Sequence, residues 1–222
     1  MVLQKTIRTF LKPYGSQKVY IVLKCTIFMK KMNIKLKDVE KFKINESYWK
    51  VLTYFFSFPN SQIGLNDLSE TINSAKTVTK TAVEFLIQEG FLSKEEIGRA
   101  WRISANPKHE FLLRRKVPMN IENVYDSGIV EAVHKSIENV KTIVLFGSYR
   151  WGTDNENSDI DIGVEISGNE EPKIYEIGQI NIGYRKNVKV NLYVFSRNKV
   201  DLNLFNNIAN GIVLDGFLEV RT

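Results

Sequence analysis

The chain of 222 residues has a single cysteine, Cys25, which excludes an internal disulfide framework and makes a reducing, cytoplasmic setting the expectation. It has only two histidines, His109 and His134, too isolated to make a zinc site. No apolar run reaches the length of a bilayer helix. The nearest, VYIVLKCTIF at residues 19–28, is interrupted by Lys24 and lacks the small-residue cleavage site of a secretion signal. No membrane partner is therefore expected. With 25% charged and 43% hydrophobic residues, the composition is that of a folded chain, long enough for one large domain or two small ones.

The net charge of +6 is unevenly spread. Residues 1–43 carry 11 Lys/Arg against 2 Asp/Glu, residues 44–106 carry 6 against 7, and residues 107–222 carry 14 against 16. The basicity belongs to the leader, so any nucleic-acid contact elsewhere must come from local clustering. Residues 1–43 read as a basic N-terminal arm or added strand, or as an extension without a role, and Met32 offers a second start point.

Residues 44–106 read as a first domain. Trp49, Leu52, Phe55 and Phe56 recur at helical spacing before Pro59. A second helix is expected over 65–72, capped by Asn66, with Leu65, Leu68 and Ile72 inward. A third is expected over 74–89, burying Ala75, Val78, Ala82, Phe85 and Leu86 and stopped by Gly90. FLSKEEIGRAWRISAN, residues 91–106, then reads as strand, turn at Gly98 and strand. Three short helices followed by such a hairpin resemble the winged helix-turn-helix domains of small microbial transcription regulators. That resemblance implies double-stranded DNA as a partner, with Lys76, Thr77, Thr79 and Lys80 toward the major groove and Arg99 and Arg102 toward phosphates; it also implies a homodimer. The alternatives are a protein-contact module, and a scaffold whose lysines and threonines are a solvated face.

NPKHEFLLRRKVP supplies a connecting helix over 107–119, ending before Pro118 with Leu112 and Leu113 internal and Arg114, Arg115 and Lys116 solvated. A helix over 122–139 opens the second domain, residues 120–222. KTIVLFG, residues 141–147, is an apolar strand running into glycine. Past the loop GSYRWGTDNENS, the strand DIDIGVEI puts Asp159, Asp161, Gly163 and Glu165 on one face. Two carboxylates so placed are about 6–7 Å apart at the backbone and repel unless a cation offsets them. Mg2+ suits such a pair, since it binds through one or two carboxylates plus phosphate oxygens. Gly147 lets a phosphate approach the backbone and Ser148 offers a hydroxyl.

The GS turn and SDxD pair, Gly147, Ser148, Gly152, Ser158, Asp159 and Asp161, resemble the minimal nucleotidyltransferases related to DNA polymerase beta. VKVNLYVF (188–195) and LFNNIANGIVLDG (204–216) resemble the closing strand and terminal helix of that family. The resemblance implies an α/β (α+β) domain with a mixed sheet, following the helical and β-hairpin winged helix. It implies Mg2+ at Asp159 and Asp161, and an NTP, ATP by expectation, held by Gly147, Ser148, Arg150, Gly152 and Ser158. It also implies transfer of a nucleoside monophosphate to an acceptor, helped by a third carboxylate from a neighbouring strand.

Two positions depart from that pattern. The third carboxylate falls on Asn191, whose amide carries no charge and is no general base. The arginine expected after the turn is displaced to Arg150, with Trp151 in its place. Glu165 and Asp201 are poor replacements for the missing carboxylate, and Glu165 and Glu170 read as ordinary strand-end and loop charges.

Two functions follow. One is a winged-helix regulator whose nucleotidyltransferase-like domain binds Mg-NTP but transfers weakly or not at all. The other is an active nucleotidyltransferase acting on a protein or small-molecule hydroxyl. Its protein partner is toxin-like or a second copy, because some minimal members of the family modify a toxin in toxin-antitoxin pairs. A structural protein whose aspartates simply end a strand is a third outcome.

Overall fold

The structure, a computed structural model, describes residues 46–219, so the basic arm lies outside the described residues. Both lobes described below belong to one unit, Ile44–Thr222.

The N-terminal lobe runs α1 (Glu46–Ser57), β1 (Gln62–Gly64), α2 (Leu65–Thr71), α3 (Lys76–Gln88), β2 (Leu92–Ile97) and β3 (Ala100–Ala105). The strands form an antiparallel sheet in the order β1-β3-β2. Ile97 pairs with Ala100, so the hairpin tip is Gly98-Arg99, with Gly98 at φ 62° where such a tight turn needs a positive φ. At the end of α3, the Gly90 N–H reaches the Ile87 carbonyl and the Phe91 N–H the Leu86 carbonyl, a Schellman ending built on the left-handed Gly90.

Two helices bury most but not all of the residues their spacing suggests. In α1 the buried residues include Tyr48, Val51, Leu52, Phe55 and Phe56, while Trp49 is 37% exposed. In α3 the expected stripe of Ala75, Val78, Ala82, Phe85 and Leu86 holds at Ala82 and Leu86, which are buried together with Thr79 and Val83. Ala75, Val78 and Phe85 are exposed instead. One residue turns a helix by about 100°, so Thr79 points into the core, away from the solvent face where a DNA contact would place it. The cap of α2 is Gly64 in extended geometry, not Asn66.

The link between the lobes also differs. A π-helical turn, Leu112–Lys116, runs directly into α4 (Val117–Asp126), whose first turn accepts Pro118 because few N–H groups are needed there. Leu113 is exposed and Lys116 is fully buried, the reverse of their expected places. Gly128, at φ 72°, breaks the expected long helix into α4 and α5 (Ile129–Ser136).

The C-terminal lobe is an α/β domain with a five-stranded mixed sheet: β4 (Val140–Phe146), α6 (Gly147–Trp151), β5 (Ile160–Ile166), β6 (Lys173–Ile182), β7 (Arg185–Ser196), α7 (Leu202–Ala209) and β8 (Ile212–Gly216). The strand order is β6-β7-β5-β4-β8, with β5 and β7 parallel and the other pairs antiparallel. One face of the sheet, Ile143, Leu145, Ile162, Val190 and Leu192, packs on Val124, Ile129 and Val133 of α4 and α5. The other face meets α7 through Val144, Phe146, Phe195 and Ile208. Gly163 lies on that second face, where a Cβ would stand 2.9 Å from Ile208 Cγ2, so a bare backbone is what lets α7 sit down. The expected terminal helix over 204–216 ends at Ala209, and Ile212–Gly216 joins the sheet beside β4. Strand β6 is an edge strand whose residues are almost all exposed and whose pairing with β7 shifts register twice.

Candidate functional site

The GS turn and the aspartates come together because β4 and β5 are neighbours. Phe146 pairs with Asp161, so Gly147 leaves β4 beside that carboxylate. Gly147 has φ 69°, and a Cβ there would stand 2.7 Å from Asp161 Oδ2. Both facts require glycine. Ser148 opens α6 half-buried, and Gly152, left-handed at φ 69°, closes it, with space for a Cβ denied by the Leu112 carbonyl at 2.6 Å.

The loop that follows is folded by its own polar groups. Ser158 Oγ accepts from the Asn155 N–H at 3.0 Å, and the Ser158 N–H donates to the Asn155 carbonyl at 3.1 Å. The Ser158 hydroxyl is thus committed to the turn that delivers Asp159.

Asp159 and Asp161 are half-buried on the α7 face of the sheet. The parallel register of β5 and β7 pairs Asp161 with Asn191. The Asn191 amide donates from Nδ2 to Asp161 Oδ1 at 3.3 Å and to Asp159 Oδ2 at 3.5 Å. Burial raises the Asp161 carboxyl above its ordinary range; the Asn191 hydrogen bond opposes this, the Asp159 charge adds to it, and a hydrogen bond from Tyr193 opposes it. The Tyr193 phenol is itself raised, first by burial and then by the charge of Asp161. Its ring meets Phe146 edge-on at 5.1 Å.

Other expected groups are occupied elsewhere. Arg150 donates from Nε to the Asn210 carbonyl at 2.7 Å and stacks 3.7 Å over the half-exposed Trp151 ring. Glu165 is buried at 3% exposure and ion-paired with Arg197 at 2.7 Å, so it is no ordinary strand-end charge. Asp201 caps α7, accepting from the N–H groups of Asn203 and Leu204 at 3.0 Å each. His109 bonds the Glu89 carbonyl and His134 meets Asp215 at 2.9 Å. In the N-terminal lobe Lys76, Thr77 and Arg99 are exposed. Lys80 pairs with Glu84 at 3.7 Å and Arg102 with Glu95 at 3.3 Å.

Several contributors were missed from sequence. Glu176 of β6 pairs with Asn191, so a carboxylate lies level with the third position, one strand further out. It is ion-paired with Lys189 at 3.3 Å. Only the register reveals it. A buried polar network lies under the loop: Lys116 pairs with Asp154 at 3.1 Å, and Asn120 Nδ2 donates to Asp154 Oδ1 at 2.8 Å and to the Tyr149 carbonyl at 3.0 Å. Arg185 donates to Tyr149 Oη at 2.7 Å and to the Ser158 carbonyl. Burial lowers the Lys116 ammonium, with Asp154 opposing it, and raises the Tyr149 phenol. Nothing local marks Arg185, which opens RKNVKV beside the exposed Lys186, and only the packing singles it out.

Among the described residues no three or more His, Cys, Asp or Glu side chains assemble as a metal cluster. Asp159 and Asp161 therefore offer two anionic ligands, and the bare Gly147 makes room for the Asp161 carboxylate beside the turn. This donor set fits a single Mg2+-like cation that takes its remaining oxygens from phosphate and water. Among the described residues no helix is long and apolar enough to cross a membrane.

Residues 127–214 match the model of the nucleotidyltransferase domain family, a stretch that contains the GS turn, both aspartates and Asn191. The C-terminal lobe is thus a nucleotidyltransferase-like domain. No curated protein matches the chain.

Proposed function

We propose that the protein is a nucleotide-responsive regulator: a winged helix that contacts duplex DNA, joined to a nucleotidyltransferase-like domain that binds Mg-NTP and transfers weakly or not at all. The observation that carries this reading is Asn191, an amide donating to both Asp159 and Asp161. A donor at that point steadies the carboxylate pair, as a cation would, and it has no lone pair basic enough to take a proton from an acceptor hydroxyl. Asp159 and Asp161 would hold the cation, Gly147 and Ser148 would take the phosphates, and Arg150, bonded to Asn210, gives them little help. Bound Mg2+ would supply charge neutralisation on the triphosphate. The winged-helix part draws support from the β1-β3-β2 order behind three helices and from Arg99 at the hairpin tip. Lys76, Thr77, Lys80, Arg99 and Arg102 are its DNA-facing set.

The second reading, an active transferase whose acceptor is a toxin-like protein, a second copy or a small-molecule hydroxyl, is favoured by one observation: the Glu176 carboxylate level with Asn191. Calorimetric titration of Mg-ATP into the full chain tests the common part. The chain is expected to bind and the Asp159→Ala/Asp161→Ala variant is not; identical null traces would sink both readings. Transfer of label from α-labelled ATP then separates them. The regulator shows little transfer and gains it in Asn191→Asp, whereas the active transferase shows transfer that is lost in Glu176→Gln. Duplex binding that weakens with salt, and further in Lys76→Ala and Arg99→Ala, tests the first lobe.

A further inference from the structure

The turn between β6 and β7 rests on the end of α1. Gly183 turns there at φ 57°, and a Cβ on it would stand 2.7 Å from Ser57 Oγ and 3.1 Å from Thr53 Cγ2, so glycine is what permits the approach. The Tyr184 N–H donates to that same buried Ser57 hydroxyl at 3.2 Å, and the Tyr184 ring meets Tyr54 edge-on at 6.0 Å. The next residue faces the other way. Arg185 is 5% exposed and gives Nη1 to Tyr149 Oη at 2.7 Å and Nη2 to the Ser158 carbonyl. Tyr149 belongs to the short helix behind the GS turn, and Ser158 is bonded in the chain to Asp159.

Three consecutive residues therefore touch α1 on one side and both halves of the carboxylate site on the other. The third guanidinium nitrogen, Arg185 Nε, is buried without a partner. An arginine whose role was only to fill and satisfy this space would be cheaper as an apolar residue, because each unbonded buried donor is unfavourable. What the planar fork adds is geometry: two acceptors from separate segments fixed relative to each other.

We propose that Arg185 is a positioning residue that couples the N-terminal lobe to the carboxylate site. A displacement at the end of α1 passes through Gly183 and Tyr184 to the Ser158 carbonyl, and so to Asp159. By reciprocity, a cation and triphosphate at Asp159 and Asp161 tighten the Tyr184–Ser57 hydrogen bond. This rests on the Mg-NTP reading above and adds to it a route by which nucleotide state reaches the lobe proposed to meet DNA. The coupling resides in Arg185, which touches neither phosphate nor cation.

The test uses the full chain, with Mn2+ alone and Mg-ATP as probes and amide hydrogen exchange at Tyr184 as the readout. Saturation with Mg-ATP is expected to slow exchange at Tyr184 by about fivefold or more, the lower range of ordinary coupling. Arg185→Lys keeps the charge and loses the two-pronged reach, so it should bind Mn2+ more weakly and abolish the ligand dependence at Tyr184. Ser57→Ala leaves every site residue in place and should weaken Mg-ATP binding by a smaller factor; it also serves if Arg185→Lys does not fold. Wild-type binding with unchanged Tyr184 exchange overturns the coupling and leaves the nucleotide reading standing. Lowered unfolding midpoints with unaltered Mn2+ and Mg-ATP affinities in both variants make the network purely structural and also overturn it. A wild-type chain that binds neither probe removes the nucleotide reading and the coupling with it.

Discussion

Among the described residues, the N-terminal lobe buries Ser47, Ser57, Ser69 and Thr79, all uncharged, whereas the C-terminal lobe buries Lys116, Asp154, Glu165 and Arg185. The charged side chains of the first lobe are outside and pair with their own neighbours, Lys80 with Glu84 and Arg102 with Glu95. Those of the second are inside and join segments far apart in sequence, Lys116 to Asp154 and Glu165 to Arg197. Bringing a charge out of water is unfavourable and excellent geometry is needed to offset it. In the second lobe the Lys116 and Arg185 interactions converge on the loop between the GS turn and Asp159. The contrast teaches that the first lobe keeps charge out of its core, while the second uses buried charge to fix the loop that carries Asp159.

The largest test of that contrast is Asp154→Ala, which leaves Lys116 buried and unpaired. A loss of about 3–5 kcal/mol in urea unfolding is expected, and a loss no larger than that of an exposed pair would break the comparison. Gly147→Ala comes next. It forces a side chain into a left-handed backbone against Asp161, with an expected loss of about 1–3 kcal/mol together with weakened Mn2+ binding; full Mn2+ affinity in this variant would remove the turn from the site. Thr79→Val is smaller and of opposite sign. The Thr79 hydroxyl is buried without a partner, so a near-isosteric apolar replacement should raise stability by about 1 kcal/mol and leave duplex binding unchanged. Arg102→Ala closes the series, with less than about 1 kcal/mol expected because the pair is exposed and screened, and with its effect appearing in salt-dependent DNA binding if the first lobe is a reader of duplex.

What could be read from the residues, and what could not, divides along the same line. The GS turn, Asp159 and Asp161 are local patterns, Asn191 is placed by the family resemblance, and the sheet register sets Phe146 and Asn191 against Asp161. The faces of the first lobe are legible at Leu52, Phe55, Phe56, Ala82 and Leu86, but Thr79 and Val83 take the places expected for Val78 and Phe85, because both choices are equally periodic and only the packing partner decides between them. Lys116 read as solvated because its partner, Asp154, is 38 residues away and nothing local marks it. Strand β6 went unread because both its faces are exposed, so it lacks the apolar alternation by which strands are recognised. With β6 unseen, Glu176 beside Asn191 was unseen too.

The ten residues of β6 also bear on how readily another strand could pair with the outer edge of the sheet. The strand carries Ile174, Tyr175 and Ile177 exposed along an outer edge that has no neighbour in the sheet among the described residues, which is the usual template for unwanted chain-to-chain pairing. Its register breaks between Glu176 and Gly178 and again between Ile180 and Ile182, and Gly178 stands at φ 139°. Each irregularity interrupts the row of free amide and carbonyl groups, so an incoming strand meets short, misaligned stretches instead of one continuous ladder. The same kinks that end at the Gly183 turn thereby make the outer edge a poor template for a further strand.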